Sequence, residues 1–103
     1  MKKMIIPAVA LFLMVLTHVV LAGDANKGRE KAELICQQCH GTEGVGGKNP
    51  LWPKLKGQQA PYLIKQLEAF RGGEREDPVM NAIAAGLSDS DIENLGAYYN
   101  SLK

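Results

Sequence analysis

The chain is 103 residues long, which leaves room for one domain, and its formal net charge at pH 7 is +1. Residues 23–103 hold ten of the lysines and arginines against all eleven acidic residues, so this part carries a net charge of −1. Neither a basic stripe nor an acidic tail is present, which argues against a nucleic-acid-binding surface and a disordered acidic segment. The two cysteines lie three positions apart, where a disulfide would constrain the unfolded chain little. So small a domain buries little core, and a metal or a cofactor is the expected supplement.

The first 22 residues have the layout of a secretory leader. Two lysines follow the initiator methionine, residues 4–22 carry no formal charge, and the run closes on Ala22 with small residues where a signal peptidase cleaves. We therefore expect residues 1–22 to be removed on export and residues 23–103 to form the domain. The alternative is an uncleaved membrane anchor, since about 18 apolar residues can span a bilayer. Pro7 interrupts the run and the domain follows without a linker, which favours cleavage.

Residues 23–103 are predicted to be all-α, with long loops and no strand pattern. Four helices are expected: from Ala25 to about Cys36 after an N-cap at Asp24, from Pro61 to Gly72-Gly73, a short one from Ala82 to Ala85, and a last one capped by Ser88 with Asp91 three residues on. Apolar residues at three-to-four spacing predict the inward faces of the two longer helices, which are Leu63, Ile64, Leu67 and Phe70 in one and Ile92, Leu95, Tyr98, Tyr99 and Leu102 in the other.

Two loops complete the predicted domain. Residues 41–57 are rich in glycine and proline, and a second loop is expected to carry Pro78, Val79 and Met80. A loop as long as 41–57 is unusual in a domain this small unless it wraps around something.

The sequence Cys36-Gln37-Gln38-Cys39-His40 provides a candidate for the wrapped group, since a C-x-x-C-H run attaches c-type haem. Two thiols at this spacing can each add to one porphyrin vinyl group, and the adjacent imidazole reaches the iron from the same side. A thioredoxin-like redox pair is expected in a βαβ setting, which is not predicted here. A zinc site of this kind is expected to have a second pair of Cys or His ligands, whereas Cys36, Cys39 and His40 are the only Cys and His residues of 23–103. The motif therefore predicts one covalent haem c.

The chain resembles the class I c-type cytochromes in its motifs and in their order along the sequence. Within that class it is most similar to the small bacterial cytochrome c-553 type and to each half of dihaem cytochrome c4. The resemblance is carried by Gly23-Asp24-Ala25, Cys36 to Gly41, Pro53 to Gln58, Tyr62 to Leu67, Ala69-Phe70-Arg71, Asp77 to Met80, Leu87-Ser88-Asp89 and Leu95 to Tyr99. It implies the cytochrome c fold, in which three to five short helices and long loops wrap around one covalent haem. It also implies that the Pro53 carbonyl accepts a hydrogen bond from the ring of His40. A close contact between the first and last helices is implied as well, through Gly28 and Ala32 on one and Leu95 and Tyr98 on the other.

Met80 is the predicted second axial ligand of the iron, opposite His40. The other three methionines lie in residues 1–22, so Met80 is the only thioether of the expected mature domain, forty residues after His40. A core methionine is the alternative interpretation. Ligation by His and Met fills both axial positions and leaves none for oxygen or peroxide, which favours electron transfer over catalysis.

We therefore predict a soluble periplasmic electron carrier, not an enzyme and without catalytic residues, that meets redox partner proteins transiently. It is expected to be a monomer, to bind no nucleic acid, and not to insert in a membrane once the leader is removed. The alternatives are a fixed cytochrome subunit of a larger dehydrogenase or oxidase, and a haem enzyme or gas sensor in which Met80 leaves the iron. Trp52 and Tyr62 are expected to fill the core, and the alternative is that they line the haem edge or reach a propionate. Four lysines form either a ring around that edge or a solvated face, namely Lys48, Lys54, Lys56 and Lys65.

Overall fold

The computed structural model describes residues 23–103, and the predicted leader lies outside the described residues. Over that range the chain forms five α-helices joined by loops, without a strand. These are α1 (Ala25–Ile35), α2 (Gln37–His40), α3 (Ala60–Gly72), α4 (Pro78–Ala85) and α5 (Asp89–Ser101), with one turn of 3₁₀-helix at Thr42–Gly44. The all-α prediction is confirmed. No helix of residues 23–103 is both long and apolar enough to cross a bilayer.

Capping side chains fix where α1 and α5 begin. The Asp24 carboxylate accepts hydrogen bonds from the backbone N–H groups of Asn26 and Lys27, at 2.9 and 3.2 Å. Ser88 and Asp91 form a reciprocal capping box, in which each side chain accepts from the other's backbone N–H at 3.0 Å. The N–H groups of a first helical turn have no partner within the helix, so these bonds satisfy donors that would otherwise need water. Both predicted caps are confirmed.

The contact between α1 and α5 organises the core. Gly28 and Ala32 are the buried residues of α1, and the backbone of Gly28 lies directly against the Asn94 carbonyl, beside Tyr98. The predicted packing of the two helices is confirmed, with Asn94 rather than Leu95 meeting the glycine. On the inner face of α5, the largest fully buried side chains are Tyr99, Ile92 and Leu95.

The inner face of α3 packs against α5 and α4. Leu63, Leu67 and Phe70 are buried, and Ile64 is partly buried, as the apolar spacing predicts. The helix ends at Gly73, whose φ of 82° lies in the left-handed region that glycine adopts without steric cost.

The helix α4 corrects the sequence prediction for the second loop. Pro78, Val79 and Met80 form its first turn, so the prediction of a loop at these residues and a helix start at Ala82 is wrong. The Asp77 carboxylate caps this turn, and Pro78 occupies the first helical position, where its missing N–H has no bond to lose.

The loop of residues 41–57 is tied to itself and to α5 by backbone hydrogen bonds. The Gly44 carbonyl accepts from the N–H groups of Leu55 and Lys56, and the Gly57 N–H donates to the Tyr99 carbonyl at 2.8 Å. These bonds close the loop over one side of α5, so that residues 51–55 face the same interior space as α3 and α4.

Candidate cofactor site

A cavity of ≈310 Å³ lies among the end of α1, the loop of residues 41–57, and helices α3, α4 and α5. Its volume is at the lower end of the range typical of ligand sites. Most of its wall is apolar and is made of residues that are buried or that pack against the hydrophobic core, namely Leu55, Leu63, Leu67, Phe70, Leu87, Leu95 and Tyr99. A wall of this kind favours a flat, mostly apolar ligand whose polar groups lie at one edge.

All four predicted attachment and ligand residues line this cavity: Cys36, Cys39, His40 and Met80. Cys36 joins α1 to α2, and its carbonyl accepts from the N–H groups of Cys39 at 3.2 Å and His40 at 2.9 Å. This single turn presents both thiols and the imidazole together. The fold brings Met80 to the same cavity from forty residues away, on the first turn of α4.

The ring of His40 is oriented by a hydrogen bond of 2.7 Å between Nδ1 and the Pro53 carbonyl oxygen. A carbonyl can only accept, so Nδ1 carries the proton and the neutral ring keeps its lone pair on Nε2. A ring nitrogen with a free lone pair, in a side chain only 8% exposed, is what a metal-ligating histidine requires. The contact between His40 and Pro53 is the one that the family resemblance implies.

The Cys36 thiol is held in its neutral form by its surroundings. Burial raises its pKa to about 11, a hydrogen bond with Tyr99 opposes this in part, and the neighbouring Cys39 adds to it. Nucleophilic and metal-binding cysteines are thiolates with lowered pKa values. The environment of Cys36 is therefore unlike that of a thioredoxin-type nucleophile and compatible with a thiol that ends as a thioether.

The described residues also argue against the zinc alternative. Across residues 23–103, no cluster of three or more His, Cys, Asp or Glu side chains is arranged to hold a metal ion. The apolar wall, the paired thiols and the oriented imidazole fit a covalently attached haem instead.

Trp52 and Tyr62 line the cavity but do not fill the core, so the prediction of core filling is wrong. Their position on the cavity wall is compatible with the alternative, in which they lie beside the haem. Their exposed fractions are 43% and 52%, and they form an apolar rim with the exposed residues Leu51 and Val79. Of the four lysines considered for a ring around the cavity, Lys54 lines it and the other three do not.

Sequence reasoning missed Gln66 and Arg75 as residues of the cavity wall. Arg75 donates to the side-chain oxygen of Gln66 at 2.8 Å and lies 4.5 Å from the centroid of the Phe70 ring. Arg75 belongs to a run of charged residues that is typical of a solvent-exposed loop, so nothing in the sequence indicates that it lines a cavity.

The sequence profile of the cytochrome c family matches residues 25–103. Cytochrome c-554(548) of Halomonas halodenitrificans is 45% identical over 83 residues, which cover 78% of this chain and 98% of that relative. Cytochrome c4 of Pseudomonas aeruginosa is 40% identical over 82 residues, which cover 80% of this chain and 40% of that relative. The chain thus spans nearly the whole of one relative and less than half of the other.

Solved structures give the same result for the fold. Reduced cytochrome c4 from Pseudomonas stutzeri aligns with a TM-score of 0.66 and 35% identity, over 79% of this chain and 50% of that one. Thiosulfate dehydrogenase from Marichromatium purpuratum aligns with a TM-score of 0.73 and 33% identity, over 79% of this chain and 20% of that one. The cofactor is one covalently bound haem c, for which the chain has the two cysteines of the attachment motif. The chain belongs to the cytochrome c family of haem proteins that transfer electrons.

Proposed function

We propose that the chain is a periplasmic electron carrier in which Cys36 and Cys39 hold the haem as thioethers and His40 and Met80 are the axial ligands of its iron. One observation supports this most directly: two side chains forty residues apart, an oriented imidazole and a thioether, line one apolar cavity beside the paired thiols. The bound haem supplies a one-electron iron centre. Neither axial position would then be open to a substrate, which separates a carrier from an oxygen- or peroxide-activating enzyme.

The protein's own residues perform the remaining tasks in this proposal. The Pro53 carbonyl fixes the tautomer and the ring orientation of His40. The leucine-rich wall keeps water from the iron, and a thioether ligand favours the ferrous form, so both raise the reduction potential. The apolar rim of Leu51, Trp52, Tyr62 and Val79 gives a redox partner a surface to meet near the cofactor.

Replacement of Met80 by Ala tests the ligation. Covalent haem is expected to survive, because attachment depends on Cys36 and Cys39, whereas the potential falls and the reduced protein gains the ability to bind carbon monoxide. Val79→Ala is the matched control, because it removes apolar bulk from the neighbouring position on the cavity wall without removing a thioether. If the parent binds carbon monoxide as readily as Met80→Ala, Met80 is not a lasting ligand and the gas-sensor alternative takes the carrier's place.

Export is part of the same proposal. Residues 1–22 have the three-part layout of a cleaved leader, and the attachment motif belongs to a haem that is joined after export. Intact-mass measurement of the protein purified from a bacterial periplasm should give residues 23–103 plus one haem. A mass that includes residues 1–22 would support the membrane-anchored alternative.

A second candidate is a dedicated partner, or a fixed subunit, of a dehydrogenase. The thiosulfate dehydrogenase electron acceptor of Stutzerimonas stutzeri is 34% identical over 102 residues, which cover 94% of this chain and 47% of that relative. Affinity purification of the tagged protein from its own host decides between the two. Recovery alone favours the free carrier, and stoichiometric recovery with a dehydrogenase favours the fixed subunit.

A further inference from the structure

We infer that the side chains of Asp77 and Asn81, together called the α4 clamp, are positioning residues that keep Met80 on the haem iron. The inference rests on the proposed ligation by Met80 and adds the device that keeps this ligand in place. Neither residue belongs to the attachment motif or provides a ligand atom. Both act through hydrogen bonds to the backbone around the first turn of α4.

The Asn81 amide joins three parts of the chain. Its Nδ2 donates to the carbonyl of Phe70 near the end of α3, at 2.8 Å, and to the carbonyl of Arg75 in the loop between α3 and α4, at 2.9 Å. Its Oδ1 accepts from the backbone N–H of Asp77, at 2.9 Å. A side-chain amide has two N–H donors, so both are used here.

Asp77 links Asn81 to the backbone of Met80, the proposed ligand. One of its carboxylate oxygens accepts from the N–H of Val79 at 3.0 Å and from the N–H of Met80 at 2.9 Å. The Asp77 carbonyl in turn accepts from the N–H of Asn81 at 2.7 Å. The backbone of Met80 is thereby anchored to a residue whose own backbone is held by Asn81.

The α4 clamp affects the binding of Met80 to the iron because its hydrogen bonds depend on the position of the first turn of α4 relative to α3. Entry of a bulky exogenous ligand on the Met80 side requires the first turn of α4 to move away from α3, which separates Asn81 from Phe70. The bonds of Asn81 to α3 are then made with Met80 on the iron and lost with Met80 displaced. Interactions present in only one of two states shift the equilibrium towards that state.

Imidazole binding to the ferric protein measures this equilibrium, because the apparent affinity scales with the fraction of molecules whose binding site is open. Asn81→Ala is expected to raise the apparent affinity for imidazole about tenfold, equivalent to about 1.4 kcal/mol, for the loss of these hydrogen bonds. Asp77→Ala should act in the same direction. Asp77→Asn should behave as the parent does, since Asn and Asp cap helices about equally well.

Asn94→Ala is the matched control. The Asn94 side chain also bonds to backbone, accepting from the Asp24 N–H at 2.8 Å, but it joins α5 to the start of α1 and has no link to α4. This variant should lower the melting temperature without changing imidazole affinity. Circular dichroism reports whether each variant is folded, and the Asp77 pair supplies the comparison should Asn81→Ala fold poorly.

The outcomes separate the clamp from the proposed function. Tighter imidazole binding in Asn81→Ala and Asp77→Ala, but not in Asp77→Asn or Asn94→Ala, supports the clamp. Equal imidazole affinity in Asn81→Ala and Asn94→Ala overturns it, even when the absorption band of iron–thioether ligation is intact in every variant. Absence of that band from the parent overturns both the clamp and the proposed ligation by Met80.

Discussion

Replacement of Gly28 by Ala tests how closely α1 and α5 must approach. A Cβ at this position would overlap the Asn94 carbonyl and stand 2.8 Å from the Cβ of Tyr98. The Asn94 carbonyl is backbone within α5, so the overlap is relieved only by moving one helix away from the other. Since α1 leads directly into Cys36, such a movement also disturbs the entry to the attachment motif.

Two effects of opposite sign decide the outcome of Gly28→Ala. Alanine is favoured over glycine inside a helix by about 1 kcal/mol, which stabilises the variant. Overpacking of a well-packed contact destabilises by about 1–3 kcal/mol, and an obstacle made of backbone places this site at the upper end. The expected net loss is about 2 kcal/mol. For a domain of 81 residues, this lowers the melting temperature by on the order of 10 °C.

Thermal unfolding of the haem-bound protein, followed by far-ultraviolet circular dichroism, measures the loss in Gly28→Ala. Gly86→Ala is the control, because a Cβ at Gly86 would lie 3.7 Å from its nearest neighbour, the Ile83 carbonyl oxygen, at an ordinary contact distance. Its stability should change by less than about 0.5 kcal/mol. A Gly28→Ala protein as stable as the parent would show that α1 and α5 can move apart at little cost in free energy, and the packing argument would be wrong.

Three further predictions concern the Ser88–Asp91 capping box and the cofactor. Ser88→Ala should lower the stability by about 1 kcal/mol at neutral pH, and urea titrations of both proteins measure the difference. Bonding to the Ser88 backbone lowers the pKa of Asp91 from its ordinary 3.8, so the contribution of the Asp91 carboxylate is present above that value and is lost as the pH falls through its lowered, folded-state pKa. Acid should therefore erode the parent's stability in this range. Protein made without haem attachment should lose most of its helical circular dichroism, and a cooperative, fully helical apo-protein would show that the haem contributes less to folding than its place in the core indicates.

Sequence patterns predict best those features whose atoms lie close together along the chain. Cys36, Cys39 and His40 share one turn, and Ser88 and Asp91 share another, so spacing alone implies their geometry. The start of α4 was within reach of the same reasoning. Asp77 followed by Pro78 is itself a helix-start signal, which the assignment of Pro78, Val79 and Met80 to a loop leaves out of account.

Features that depend on distant packing were not predictable in this way. Trp52 and Tyr62 have the size and polarity of core residues, and only the fold places them at a rim. The hydrogen bonds of Asn81 run to Phe70 and Arg75, whose carbonyls every residue type possesses, so nothing in their identity indicated the contact. The Gly28 contact falls between these cases, because a family resemblance implied the helix pair but not Asn94 as the neighbour.

The cavity wall and the hydrophobic core are made of the same side chains, and this links folding to function. Leu63, Leu67 and Leu95 contact the rest of the core on one side and the cavity on the other. Leu95 is already fully buried by the protein itself, and Leu63 and Leu67 are only 6% and 8% exposed, so the cofactor adds close packing along this face rather than most of their burial. In the proposed site the same packing would keep water from the iron and so favour the ferrous state. A substitution that loosens this wall should therefore lower the stability and the reduction potential together. A surface substitution such as Ser88→Ala should lower the stability alone.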